Sequence, residues 1–186
     1  MERQQQYDPS AGAQPRSTQA ESDRIVQWLG DAHAMEMEAK TMLEAFASRL
    51  EHYPGLKQRV QQHVAETEAQ AQRLENRLQA LGNSAPALRD MAAGAMASLH
   101  ATGNAMMSDE VIKGLGISYA FEHMEIASYR NLLFAAETVG DEATAQVCRE
   151  ILPEEEAMAD WLYQHQQDLV QQFLALDASP GVTSKH

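Results

Sequence analysis

The sequence predicts an all-α domain, a four-helix bundle of two antiparallel helical hairpins joined by a long crossover that carries a short extra helix. Three observations predict it. Apolar residues recur at steps of three and four through four long segments, which is helical periodicity. Short turn signals link the first segment to the second and the third to the fourth, while a much longer stretch separates the two pairs. Near the middle of each segment a glutamate stands on or beside the apolar stripe, a cost that a helix accepts only when the carboxylate is paired, protonated or bound to a metal.

The first helix is expected to start near Ser22 or Asp23, either of which can cap it, with Ile25, Leu29, Ala32, Glu36, Ala39, Leu43, Phe46 and Leu50 as its stripe. Tyr53-Pro54-Gly55 ends it in a tight turn and makes the next helix its antiparallel neighbour. That helix runs from about Leu56 to Leu81, is polar in the middle at His63, Glu66, Thr67 and Gln70, and stops at Gly82, a suitable left-handed cap. The stretch from Gly82 to Ser108 is rich in Ala and Met; Pro86 can start a short helix there, and Met91, Met96, Met106 and Met107 read as adaptable packing. The third helix follows Ser108 and continues to about Val139, with Leu115, Tyr119, Glu122, Ile126, Tyr129 and Leu133 as its seam. Gly140-Asp141 turns and caps the fourth, which carries Val147, Ile151, Glu155, Met158, Leu162, His165, Leu169 and Phe173. Pro153 inside it is expected to kink or divide the helix. One long crossover between two hairpins is the connectivity of a ferritin-like bundle. The domain spans residues 22–176, between an expected disordered N-terminal tail (1–21) and a flexible C-terminal tail (177–186) whose compositions lack apolar residues to bury.

Composition sets limits on function. With 186 residues and 44% hydrophobic content, the chain can bury a proper core as one domain. A formal charge of -13 argues against nucleic acid or an anionic membrane as partner and favours cations. No run is long and apolar enough for a bilayer span, and no secretory signal precedes the domain, so a cytoplasmic location is expected. Cys148 is the single cysteine and reads as a buried structural thiol in a reducing compartment. A homodimer through a helix face is the expected assembly, since such bundles commonly associate.

The candidate site is the layer of mid-helix acids: Glu36, Glu66, Glu122 or Glu125, and Glu155 or Glu156, with His63 one turn before Glu66. Several carboxylates this close cannot all ionise without cations, and iron or manganese suits oxygen ligands joined by imidazole. The usual arrangement in such bundles is one Glu from each of two helices and Glu-x-x-His from each of the others. Here Ala69 and Met158 stand where those histidines belong, and His63-x-x-Glu66 runs in the reverse order, with Gln70 as a further oxygen ligand one turn on. The bland readings are that Glu66 pairs with Arg73 and that Glu154–Glu156 is a solvated acid run. His33 and His123 read as boundary or surface histidines, and Tyr119 and Tyr129 as core aromatics with a wetted hydroxyl.

Four blocks in order carry a family resemblance: Trp28–Glu36, His63–Gln70 with Arg73-Leu74-Glu75, Tyr119–Tyr129, and Ile151–Leu162. Together they resemble the YciE/YciF-type ferritin-like family of bacteria over about residues 23–175. The resemblance implies a ferritin-like bundle, a general-stress context and a dimetal-type site on Glu36, Glu66, Glu122, Glu125, Glu155 and Glu156. The expected function is therefore a stress-associated protein binding one or two iron or manganese ions and reacting with oxygen or peroxide. The competing expectation is a non-catalytic bundle for interaction or oligomerisation, whose acids only fix helix register.

Overall fold

The computed structural model describes residues 18–83 and 109–179, and these form four helices with no strand among them. They are α1 (Gln19–Ser48), α2 (Pro54–Ala80), α3 (Glu110–Val139) and α4 (Glu142–Asp177). α1 begins earlier than Ser22 because Thr18 and Glu21 form a reciprocal capping box; residues 18–21 are thus the cap and first turn of the helix rather than tail. In α2, Pro54 occupies the first turn, where its missing N–H costs nothing. Gly82 (φ 87°) and Gly140 (φ 77°) take the left-handed conformation at the ends of α2 and α3, as their positions predict. Asp141 caps α4 by accepting from the Thr144 N–H. Pro153 does not divide α4, which runs unbroken through it. Arg149 and Pro153 both face solvent, so water can satisfy the carbonyl that loses its helical donor.

The closest helix pairs are α1 with α2 and α3 with α4; α1 also packs on α3, and α2 on α4. Arg49 pairs with Glu110 at one end of α1 and α3, and Tyr129 reaches Glu36 further along, so these helices run antiparallel. Gln70 meeting Glu155 and Arg77 meeting Asp141 show the same for α2 and α4. It follows that α2 and α3 lie diagonally and point the same way, so Asn83 and Asp109 sit at opposite ends of the bundle. That is ferritin-like connectivity. Residues 84–108, where the short crossover helix is expected, and residues 1–17 and 180–186 lie outside the described residues.

The apolar core comes in two blocks. One contains Leu43, Phe46, Leu50, Leu56, Val60, Leu115, Met158 and Leu162; the other contains Ile25, Leu29, Leu74, Leu78, Tyr129, Leu132, Cys148 and Ile151. Between them along every helix lies a buried polar layer: Glu36, His63, Thr67, Gln70, Ser118, Glu122, Glu125 and Glu155. Cys148 is buried as expected, and burial pushes its thiol up to about 12, so it stays protonated.

Gly114 lets α3 approach α1. A Cβ there would lie 2.5 Å from Cε2 of Phe46, a core ring only 4% exposed. Gly114→Ala is expected to lose roughly 1–3 kcal/mol to overpacking, more than the ~1 kcal/mol gained in helix propensity. Urea unfolding measures the balance, and a stabilised variant would show that the ring can move aside.

Candidate metal centre

Each helix delivers one or more side chains to the layer because a polar residue replaces an apolar one in its stripe. α1 supplies Glu36 between Met35 and Ala39, α2 supplies His63 and Gln70, α3 supplies Glu122 and Glu125, and α4 supplies Glu155. Four of these, His63, Glu122, Glu125 and Glu155, each offer one ligand atom, and all four atoms lie within 4.8 Å of one another. The group is buried throughout.

His63 is the hinge of the arrangement. Its Nε2 faces inward, 3.1 Å from Glu122 Oε2 and 3.5 Å from Glu155 Oε2. Its Nδ1 faces outward and donates to Glu66 Oε2 at 2.8 Å. Glu66 also accepts from Arg59 Nη1 at 3.1 Å and from Gln62 Nε2 at 2.8 Å. Glu66 therefore stands behind the imidazole, away from the cluster, and its ion-pair partner is Arg59 rather than Arg73. Burial disfavours the imidazolium, but the close carboxylates of Glu122, Glu155 and Glu66 outweigh it and hold His63 up to about 12. Burial likewise disfavours ionised Glu66, yet His63, Gln62 and Arg59 hold it down at about 2.

The inner acids behave oppositely. Burial pushes Glu122 up to about 7 although His63 opposes it. Glu125 is raised well above the ordinary range by burial and then by the like charges of Glu36, Glu155 and Glu122. Glu36 is raised by burial and by Glu155, and the Tyr129 hydroxyl, which donates to its Oε1, only partly offsets this. Buried Oε2 atoms of Glu36, Glu122, Glu125 and Glu155 have no hydrogen-bond partner; for Glu122 and Glu155 the approach to His63 is an ion-pair distance without hydrogen-bond geometry. Orphaned carboxylate oxygens gathered around one inward imidazole nitrogen form a donor set that could hold a hard divalent cation.

The three consecutive acids of α4 separate. Glu155 points into the layer, Glu154 binds Arg73 at the α2 seam, and Glu156 pairs with Arg130 at 2.5 Å on the surface. Gln70 donates through Nε2 to Glu155 and, at 2.9 Å, to Glu154. Tyr129 is fully buried, and its hydroxyl is bonded to Glu36 rather than wetted. Tyr119 is half-buried, with its ring edge-on to exposed His123 and near Tyr163. His33 is half-buried and outside the cluster, and His165 bonds to Trp161 O and stacks on its ring. No described helix is long and apolar enough to cross a membrane.

The family described as Domain of unknown function (DUF892) matches residues 21–175. A protein from Xanthomonas campestris pv. campestris is similar in structure, with a TM-score of 0.72 and 47% identity, over 86% of this chain and 99% of that one. The E. coli stress protein YciF is similar at a TM-score of 0.61 and 24% identity, over 83% of this chain and 99% of that one. A dodecameric thioferritin from Bacteroides fragilis matches at a TM-score of 0.66 and 17% identity, over 83% and 90% of the two chains. The last two are likenesses of fold. Matched from the first turn of α1 to the last of α4, and through the four blocks quoted from its sequence, this chain belongs to the DUF892 family, ferritin-like bundles of the YciE/YciF type.

Proposed function

We propose that this is a cytoplasmic, stress-associated ferritin-like protein whose buried layer binds one or two iron or manganese ions. The observation that carries the reading is the convergence of His63, Glu122, Glu125 and Glu155 within 4.8 Å inside an otherwise apolar bundle. Four buried acids, Glu36 included, surround a single imidazole, and that charge imbalance is what divalent cations relieve. His63 Nε2, Glu122, Glu125 and Glu155 are the proposed ligands, with Glu36 completing the set for a second ion. Glu66 orients the ring through Nδ1, the usual role of a carboxylate behind a metal-binding histidine. Tyr129 fixes Glu36 Oε1 and leaves Oε2 free for a ligand role. Glu156, paired with Arg130, takes no part. Bound there, iron or manganese would supply one-electron chemistry toward oxygen or peroxide.

Elemental analysis of protein purified without chelator, followed by anaerobic titration with ferrous iron, tests the proposal. One or two ions per chain are expected, and Glu122→Ala is expected to abolish them. Absence of binding well above micromolar protein would sink the metal reading and favour the non-catalytic bundle, whose imidazolium already pairs with the layer's acids. The homodimer belongs to the same proposal: Trp28 (38% exposed) and Phe134 (60% exposed) line a groove between α1 and α3 where a second copy would bury apolar surface. Sedimentation velocity is expected to give a dimer that Phe134→Glu dissociates, and a monomeric wild type would remove that element.

A further inference from the structure

A layer closed by four helices needs a way in. Hydrogen bonds lead inward from half-exposed carboxylates at Glu66 and at Glu154. At Glu66 the next group is the Nδ1–H of His63, a donor that repels a cation, and Arg59 lies alongside. At Glu154 the next group is Gln70, whose one amide nitrogen bonds both Glu154 and buried Glu155. Glu154 has a side chain 32% exposed, whereas the Glu155 side chain is 1% exposed. Gln70 itself is fully buried, and its Oε1 has no hydrogen-bond partner. Turning the amide over would present that oxygen where the nitrogen now stands, exchanging a donor for a metal ligand. Arg73, 27% exposed, binds Glu154 and neutralises it. The groove between α1 and α3, by contrast, is lined near the layer by Met35 and Leu132, which offer a hard cation nothing.

We propose that divalent cations reach the buried layer through a transient site at the α2–α4 seam, formed by Glu154 and the Gln70 amide oxygen, with Arg73 as the competing counter-charge. A cation displaces the Arg73 guanidinium from Glu154, draws the Gln70 oxygen toward itself, and is then one side chain from Glu155. This inference rests on the metal reading of the layer, and it separates rate from capacity: Glu154 governs how fast the layer fills and the inner ligands govern how much it holds.

The test is stopped-flow mixing of the full-length metal-free chain with cobalt(II), followed by visible absorption, with the end-point stoichiometry from elemental analysis. Glu154→Gln is expected to slow loading about tenfold, the lower range of local electrostatic effects on association, with the end point unchanged. Arg73→Gln is expected to speed it. Glu137→Gln, which removes a surface carboxylate paired with Arg149 elsewhere on the bundle, is expected to load at the wild-type rate. Wild-type kinetics in Glu154→Gln would overturn the port, as would equal slowing by Glu137→Gln, because the effect would then be overall charge. A lowered end point in Glu154→Gln would make Glu154 a resident ligand and also overturn it. Failure of the wild type to bind cobalt, ferrous iron or manganese would instead overturn the metal reading beneath it.

Discussion

Raising the pH from about 5 to about 8 is expected to lower the thermal midpoint of the metal-free protein, and saturating manganese or anaerobic ferrous iron is expected to cancel the fall. An acid whose folded value lies above its unfolded one stabilises the fold below the unfolded value and withdraws that contribution as pH rises toward the folded one. For Glu122 the window opens near ~4.3, the ordinary glutamate value, and closes at about 7. From about pH 5 to the end of that window, at ~1.4 kcal/mol per pH unit, the loss is roughly 3 kcal/mol, or roughly 6–12 °C for a domain of this size. Glu36 and Glu125, also raised by burial, act in the same direction to higher pH. So does His63: its contacts with these carboxylates stabilise the fold below its ordinary value of ~6.5, and that contribution fades toward about 12. Glu66, held at about 2, works the other way, and its contribution is lost only as pH falls from the ordinary carboxylate range toward that value. Metal binding takes ionised carboxylates and releases protons, so loading should strengthen over the same range in which the metal-free fold weakens. Calorimetry across that range decides it; a midpoint that rises with pH would contradict the protonated state of the layer.

Glu125→Leu is expected to stabilise the metal-free bundle by about 1–3 kcal/mol, the cost of a buried polar group left without its hydrogen-bond partner. The reasoning is local. Glu125 lies among Glu36, Glu122 and Glu155, its Oε2 has no hydrogen-bond partner, and burial is the largest influence upon it. Glu122→Leu should do the reverse and cost ~3–5 kcal/mol, because it leaves the His63 imidazolium short of a buried partner at 3.1 Å. Both variants lose metal under the proposed reading, so stability and binding part company at Glu125 and fall together at Glu122. Urea denaturation of the two metal-free proteins tests the contrast. Equal destabilisation would mean that Glu125 holds the layer together even without an ion.

The bundle was legible because each stripe keeps its period over many turns and because the turn residues Pro54, Gly82, Gly140 and Asp141 stand where the stripes stop. The layer was legible for the same reason: Glu36, His63, Glu122 and Glu155 interrupt those stripes and are buried. Direction was harder to read. Adjacent helical residues point about 100° apart, so the run Glu154–Glu156 had to divide between faces, but only the neighbours Arg73, Gln70 and Arg130 show which acid turns inward. The inward nitrogen of His63 was equally hidden, since spacing placed Glu66 beside the ring without saying on which side. The sequence suggests a wetted Tyr129 hydroxyl because its partner lies on α1, 93 residues away in the chain. The start of α1 is hidden in the apolar pattern because Thr18-x-x-Glu21 precedes the first apolar residue of its stripe.

The two apolar blocks of the core share the half-buried ring of Phe121; in the buried middle of the molecule carboxyls, an amide and an imidazole stand between them. Close-packed hydrocarbon holds helices together because each side chain sits among many contacts, and at this level polar groups stand in its place. All four helices run unbroken through this level, so it is held together by the backbone of each helix and, between helices, by polar contacts. An ion gripped there by His63, Glu122, Glu125 and Glu155 would tie α2, α3 and α4 to one another at the one level where hydrocarbon does not.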